Sequence, residues 1–76
     1  MAAARAVLQA AAERARLAGE TRAFFDKSFR LGETDLPTRL RVELEAAQAQ
    51  REQARARIAL HQAIAQLRQA LGLLPQ

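Results

Sequence analysis

The segment 30–37 constrains the fold of this chain more than any other, because helix-ending and helix-starting residues meet there. Gly32 can adopt the left-handed backbone conformation that closes a helix C-terminus. Thr34 or Asp35 can cap a following helix through a side-chain oxygen, and Pro37 suits a first helical turn, where no N–H donor is needed. The sequence therefore predicts a helix, a tight turn and a second helix.

The chain on both sides of this turn has the composition of long helices. Residues 2 to about 31 and 36 to about 71 are dominated by Ala, Leu, Gln, Glu and Arg, which favour helix, and neither segment has a strand pattern. At a rise of 1.5 Å per residue, such helices of about 30–36 residues would form a rod roughly 45–54 Å long. We expect an all-α fold, a single domain over residues 1–76, built as a long antiparallel helical hairpin or coiled coil with its turn within residues 32–35.

Apolar residues recur along both helices at the seven-residue spacings of near-parallel helix packing. The first helix carries two such series side by side: Leu17, Phe24 and Leu31, with Ala10 before them, and Ala11, Ala18 and Phe25. The second helix carries one series comprising Leu40, Leu44, Ala47, Ala54, Ile58 and Ala65, and another comprising Ala46, Ala49, Ala56, Leu60, Ala63, Leu67 and Leu74. The two series of the second helix lie on nearly opposite sides, since Ile58 and Leu60 are separated by about 200° of helical rotation.

These opposed stripes indicate that the second helix has neighbours on two sides, because a helix in a lone hairpin needs only one apolar stripe. Much of the apolar content of the chain is alanine, so the hairpin's own core would be thin. One small core rarely supplies more than about 3–5 kcal/mol of stability. We therefore expect the chain to self-associate or to be only marginally stable as a monomer.

The charge of the chain is mildly basic, with a net value of +4 from 12 Lys and Arg against 8 Asp and Glu, and the two signs are interspersed without a run of like charges. A nucleic-acid binder usually clusters its basic residues on one face or in one block. We interpret most of the charged residues as a solvated face and expect no nucleic-acid partner. The alternative interpretation is a free-standing basic coiled-coil module that binds nucleic acid or an anionic membrane. No stretch of about 20 uncharged apolar residues is present that could span a bilayer as a helix.

Residues that could carry out chemistry are sparse and scattered. The chain has no cysteine and one histidine, His61, which lacks the partners of a zinc motif. Ser28 has no glycine elbow around it, and Glu43 and Glu45 are two residues apart, which places them on different faces of a helix. We expect neither an enzyme, nor a metal site, nor a cofactor.

The turn and its flanks are similar to those of a known family. The run 27–36 reads KSFRLGETDL, and it is followed by Leu40, by EAAQ at 45–48 and by LRQALG at 67–72. Over essentially all 76 residues, this pattern resembles the C-terminal helical hairpin of the TolC-like outer membrane efflux proteins, also called outer membrane factors. The form LGETDLP at 31–37 is most similar to members that serve heavy-metal cation pumps.

This resemblance implies a fold, a location and partners. Family members are homotrimers with an outer-membrane β-barrel and a long periplasmic α-helical tunnel, in the outer membrane of Gram-negative bacteria. The hairpin would be one wall segment of that tunnel in a larger channel, contacting the membrane only through barrel regions outside these 76 residues. Its turn would dock the periplasmic adaptor protein of a tripartite export pump that also contains an inner-membrane pump. The expected adaptor-docking tip consists of Leu31, Gly32, Glu33, Thr34, Asp35 and Leu36.

The sequence departs from the family at two positions shortly after the turn. Some members carry aspartates there, which line a cation-attracting constriction of the tunnel. By position these aspartates correspond to Thr38 and Arg41, which the resemblance makes lumen-facing, and neither is acidic. Three copies of a lumen-facing Arg41 would form a basic ring that disfavours cations.

Overall fold

The computed structural model describes residues 2–72, which form two long α-helices joined by a tight turn. Helix α1 spans Ala2–Arg30 and helix α2 spans Leu36–Gly72. The helices pack antiparallel, and no strand occurs in the part of the chain that the structure describes. The predicted all-α hairpin is confirmed, and both predicted helices end within one residue of the observed boundaries.

The end of α1 is closed by the backbone around Gly32. The Gly32 N–H donates to the Phe29 carbonyl at 3.0 Å, and the Glu33 N–H donates to the Ser28 carbonyl at 2.8 Å. This pair of bonds is the Schellman arrangement, which requires a left-handed residue at the position that Gly32 occupies. Gly32 has a φ of +76°, as predicted from its position.

The start of α2 is closed by Asp35, the second of the two predicted caps. Its Oδ1 accepts a hydrogen bond of 2.9 Å from the Thr38 backbone N–H, and its carbonyl accepts the first helical bond from Arg39 at 3.2 Å. Pro37 lies in the first turn of α2, where its missing N–H leaves no helical bond unmade. The reversal of the chain is therefore fixed by local bonds on both sides of the turn.

The interface between the helices is narrow and made largely of alanine. The buried side chains within residues 2–72 are Ala11, Ser28, Val42, Ala46 and Ala56. Half-buried residues extend the same stripes: Ala4, Leu8, Ala15, Ala18, Phe25 and Phe29 on α1, and Ala49, Gln53, Leu60 and Ala63 on α2. Such small residues let the two backbones approach closely, but each removes little apolar surface from water.

The structure selects one of the two apolar series on each helix for this interface. On α1 the series containing Ala11 packs inward, whereas Leu17 and Phe24 are exposed, so the expectation of helix packing along both series is wrong within the hairpin for the series containing Leu17. On α2 the series containing Ala46 packs inward as far as Ala63, whereas Leu67 is exposed and Leu74 lies outside the described residues. Leu44 on the opposite side is 64% exposed. The two opposed stripes predicted for α2 are therefore present, and α1 covers only one of them.

Candidate functional site: the tip of the hairpin

The predicted tip residues, 31–36, lie together at one end of the rod. Leu31 and Leu36 are exposed, and Glu33 and Asp35 stand between them, also exposed. Thr34 is half-buried. The tip thus combines two accessible apolar side chains with two carboxylates, which suits a partner that offers an apolar recess and basic groups.

The carboxylate of Asp35 has a structural task within this tip. Hydrogen bonds from Thr38, first from its side chain and then from its backbone N–H, hold the pKa of Asp35 below its usual range. The residue therefore stays ionised at neutral pH while it caps α2. Thr38 is half-buried, and its backbone N–H is committed to this cap.

An ion-pair cluster just behind the tip links the two helices. Arg39 of α2 donates from Nε to Asp26 Oδ1 of α1 at 2.8 Å, and its Nη2 lies 2.7 Å from the same oxygen. Arg30 holds the other carboxylate oxygen of Asp26 at 2.7 Å, and Glu43 lies 3.4 Å from Arg39. The Arg39 guanidinium also stacks over the Phe29 ring, 4.8 Å from its centroid. We call this group, Asp26, Phe29, Arg30 and Arg39, the tip clamp.

The tip clamp was missed by the sequence analysis, although a signal for it was available. Asp26 precedes Gly32 by six residues, and Arg39 follows it by seven. Folding the chain back at Gly32 places these opposite charges at nearly the same height on facing helices. Hydrogen bonds from Arg39, and then from Arg30, hold the pKa of Asp26 below its usual range.

The three phenylalanines near the tip divide between packing and exposure. Phe25 and Phe29 are half-buried against α2, whereas Phe24 is 64% exposed. The Phe24 and Phe25 rings meet edge to face, with centroids 5.3 Å apart and an interplanar angle of 84°. Phe24 is thus held in place by its neighbour while most of its surface remains available to a partner.

Arg41 is the second of the two positions, after Thr38, that correspond to aspartates in the similar family. Its side chain is exposed and forms an ion pair. Its Nη1 lies 3.3 Å from Glu45 Oε1, one helical turn further along α2. A ring built from three copies of this helix face would therefore contain three glutamates beside its three arginines. The resulting field near Thr38 and Arg41 would be weaker than that of a purely basic ring.

The remaining candidates from the sequence do not converge on a reaction centre. His61 is exposed and lines a shallow surface groove with Ile64, Ala65 and Arg68. Between Ala2 and Gly72, no group of three or more His, Asp or Glu side chains lies close enough to hold a metal ion. Neither of the two described helices has a stretch apolar enough to cross a membrane.

The basic excess of the chain lies at the end of the rod opposite the tip, which we call the open end (residues 2–12 and 53–72). All eight acidic residues lie between Glu13 and Glu52, where eight basic residues balance them. The four unbalanced charges are Arg5, Arg55, Arg57 and Arg68. The charges are therefore interspersed near the tip but purely basic at the open end.

Comparisons of the chain with protein-family models, with curated proteins and with solved structures found no match in any of the three. The class that the fold defines is a long antiparallel helical hairpin with a doubly capped turn.

Proposed function

We propose that this chain forms a wall segment of the periplasmic α-helical tunnel of a TolC-like outer-membrane efflux channel, with its turn docking a periplasmic adaptor protein. The observation that carries the proposal is the exposed apolar stripe on the outer side of each helix. Phe24 on α1 and Leu44 on α2 both face away from the partner helix and remain in contact with water. A wall of side-by-side helices covers both stripes, whereas a free hairpin covers neither.

The resemblance of segments 27–36 and 67–72 to the family supplies the context of the proposal. The parent channel is then a homotrimer in the outer membrane of a Gram-negative bacterium, working with an inner-membrane pump. The form LGETDLP at 31–37 favours heavy-metal cations as the exported substrate. The ion pair between Arg41 and Glu45 is compatible with cation passage, because it offsets the positive charge of the arginine.

The geometry of the tip supports a docking role. A turn capped on both sides is already ordered, so docking does not have to fix its backbone. The tip stands at the end of a rod whose longer helix, with 37 residues, extends about 55 Å, which makes it accessible to a partner. We expect the adaptor to present apolar surface to Leu31 and Leu36 and basic groups to Glu33.

The docking role is tested by substituting Gly32 in the parent channel. No atom obstructs a Cβ at this position, but its φ of +76° penalises any side chain by about 1 kcal/mol or more. Gly32→Leu should impair export while leaving the channel trimeric and inserted. Gly19→Ala is the matched control, because Gly19 lies inside α1 with equally open space and should keep full export.

The measurements are resistance of cells to divalent heavy-metal cations and cross-linking of the adaptor to a Thr34→Cys variant. Glu33→Lys should weaken both, and it is a cleaner charge reversal than Asp35→Lys because Asp35 also caps α2. Full resistance and unchanged cross-linking in the Gly32→Leu and Glu33→Lys variants would show that the tip is only a connector.

A second candidate function is favoured by the basic open end. Arg5, Arg55, Arg57 and Arg68 lie at the open end, which contains no Asp or Glu, so a basic module that binds nucleic acid or an anionic membrane is the competing proposal. Phosphate contacts would give a binding constant that falls steeply with salt. A salt titration with duplex DNA and with anionic vesicles tests it, and binding lost in Arg57→Glu/Arg68→Glu would support it over the tunnel wall.

A further inference from the structure

The two outer edges of the hairpin carry complementary residues. The α1 edge is the side of α1 turned away from α2. Its residues are exposed and follow one another at spacings of three, four or seven positions: Glu13, Leu17, Glu20, Phe24 and Leu31. The α2 edge, the corresponding side of α2, consists of Leu40, Leu44, Arg51, Arg55 and Ile58. Each edge is therefore one stripe along its helix. Two apolar residues lie nearest the tip on each edge, and the charged residues further along are accompanied by one more apolar residue, Leu17 on α1 and Ile58 on α2.

The charges on the two edges are opposite in sign. Glu13 and Glu20 flank Leu17 on the α1 edge, and Arg16 beside them pairs with both, which leaves this group with a net charge of −1. Within residues 2–72, Arg51 and Arg55 on the α2 edge form no ion pair. Their acidic neighbour Glu52 is turned towards its own α1, where it lies 3.6 Å from Arg14.

The register of the hairpin places these features at matching heights. Arg14 lies level with Glu52, so Glu13, one residue earlier, lies level with the chain between Arg51 and Arg55. In the same way, Asp26 lies level with Arg39. Phe24, two residues before Asp26, therefore lies level with the chain between Leu40 and Leu44.

We infer that a second copy of this chain packs beside the first, tip next to tip, with the α1 edge of one copy against the α2 edge of the next. In that arrangement Phe24 enters the space between Leu40 and Leu44 of the neighbour, while Glu13 lies between the neighbour's Arg51 and Arg55. Contact of two α2 edges would instead oppose arginines, and contact of two α1 edges would oppose glutamates. The contact uses different edges on its two sides, so it is heterologous and propagates into rows or rings. As an account of a tunnel wall, this inference rests on the proposed function.

Cysteine cross-linking of the purified chain tests the edges directly, because the chain has no cysteine of its own. The double variant Phe24→Cys/Leu40→Cys should give, on mild oxidation, a ladder of dimers, trimers and larger species, since its two thiols lie on opposite edges of each hairpin. The single variants should form the cross-link only when mixed with one another. The matched control Ala23→Cys/Glu43→Cys places both thiols in one cleft of the same hairpin and should give no ladder.

Charge reversal tests the polarity of the contact. Arg51→Glu/Arg55→Glu should weaken association by roughly three- to tenfold, the range expected for exposed ion pairs, and mixing with a Glu13→Arg/Arg16→Glu/Glu20→Arg chain should restore it. Arg57→Glu/Arg68→Glu changes the net charge equally but lies outside the α2 edge, and it should leave association unchanged.

Two results would overturn the inference. One is a chain that remains monomeric at every concentration, and the other is dimerisation of Phe24→Cys alone as efficient as that of the mixed variants, which would indicate a two-fold symmetric contact. Neither result depends on export, because the purified chain is tested without a membrane, adaptor or pump. Loss of metal resistance in the Gly32→Leu channel together with a monomeric chain would thus reject this contact while leaving the docking role intact.

Discussion

At the scale of single residues, the most consequential contacts are those that tie Asp26 and Asp35 to their partners. Both carboxylates lie close to the turn, one joining the two helices through Arg39 and the other capping α2 through Thr38. The cap was predictable, because it depends on residues three positions apart. The clamp joins residues 13 positions apart on two helices, so it follows only once the turn at Gly32 has fixed the height at which the helices meet.

The pKa of both carboxylates is lowered by hydrogen bonds, chiefly from Arg39 for Asp26 and from Thr38 for Asp35, and this predicts the acid response of the hairpin. Their contribution to stability is present above the ordinary aspartate pKa of 3.8 and is lost as pH falls through the lower folded value. The melting temperature, followed by circular dichroism, should therefore decrease below about pH 4. Asp26→Asn should lower the melting temperature at pH 7 and flatten this decrease, whereas Glu33→Gln should do neither. An unchanged pH profile in Asp26→Asn would contradict a stabilising role for the clamp.

At the scale of the helices, the sequence predicted where α1 and α2 begin and end better than it predicted which of their faces pack together. The boundaries followed from local chemistry at Gly32, Asp35 and Pro37. The choice of interface did not, because each helix carries two apolar series with the same spacing. The series that pairs inside the hairpin on α2 is the one richer in alanine, and Ala46 is only 1% exposed there. Close approach of the backbones therefore decided which stripe was buried, at the expense of the larger side chains on the outer edges.

This choice predicts opposite tolerances for two alanines on α2. Ala46→Leu should destabilise the hairpin by about 1–3 kcal/mol, because an enlarged side chain must push the helices apart. Ala54→Leu should be nearly neutral, because Ala54 is exposed on the other side of the helix. Denaturant unfolding at one fixed protein concentration measures both, and equal effects of the two substitutions would show that the interface has been assigned to the wrong stripe.

At the scale of the whole molecule, the hairpin has a well-fixed turn and a thin interior. Its turn is capped on both sides, whereas its buried side chains are four small apolar residues and one serine. Large apolar side chains such as Leu44 and Phe24 remain outside. The opposed apolar stripes of α2 already indicated in the sequence that one stripe would stay exposed in a single hairpin. The sequence does not identify the molecule that covers the exposed stripe, because this contact involves a second chain. Stability and association should consequently be coupled.

The coupling predicts that the melting temperature of the purified chain rises with its concentration. A neighbour that covers the outer edges binds only the folded hairpin, so mass action favours folding as concentration increases. Phe24→Ser/Leu44→Ser should abolish this dependence while leaving the low-concentration melting temperature almost unchanged, because both side chains are 64% exposed in the single hairpin. Light scattering and thermal melts over a hundredfold range of concentration would measure both effects.

Leu8→Ser is the contrasting control, because this half-buried residue lies between the helices and its loss should lower the melting temperature at every concentration. A monomer with a high and concentration-independent melting temperature would show that the narrow alanine interface is sufficient and that the outer edges stabilise nothing.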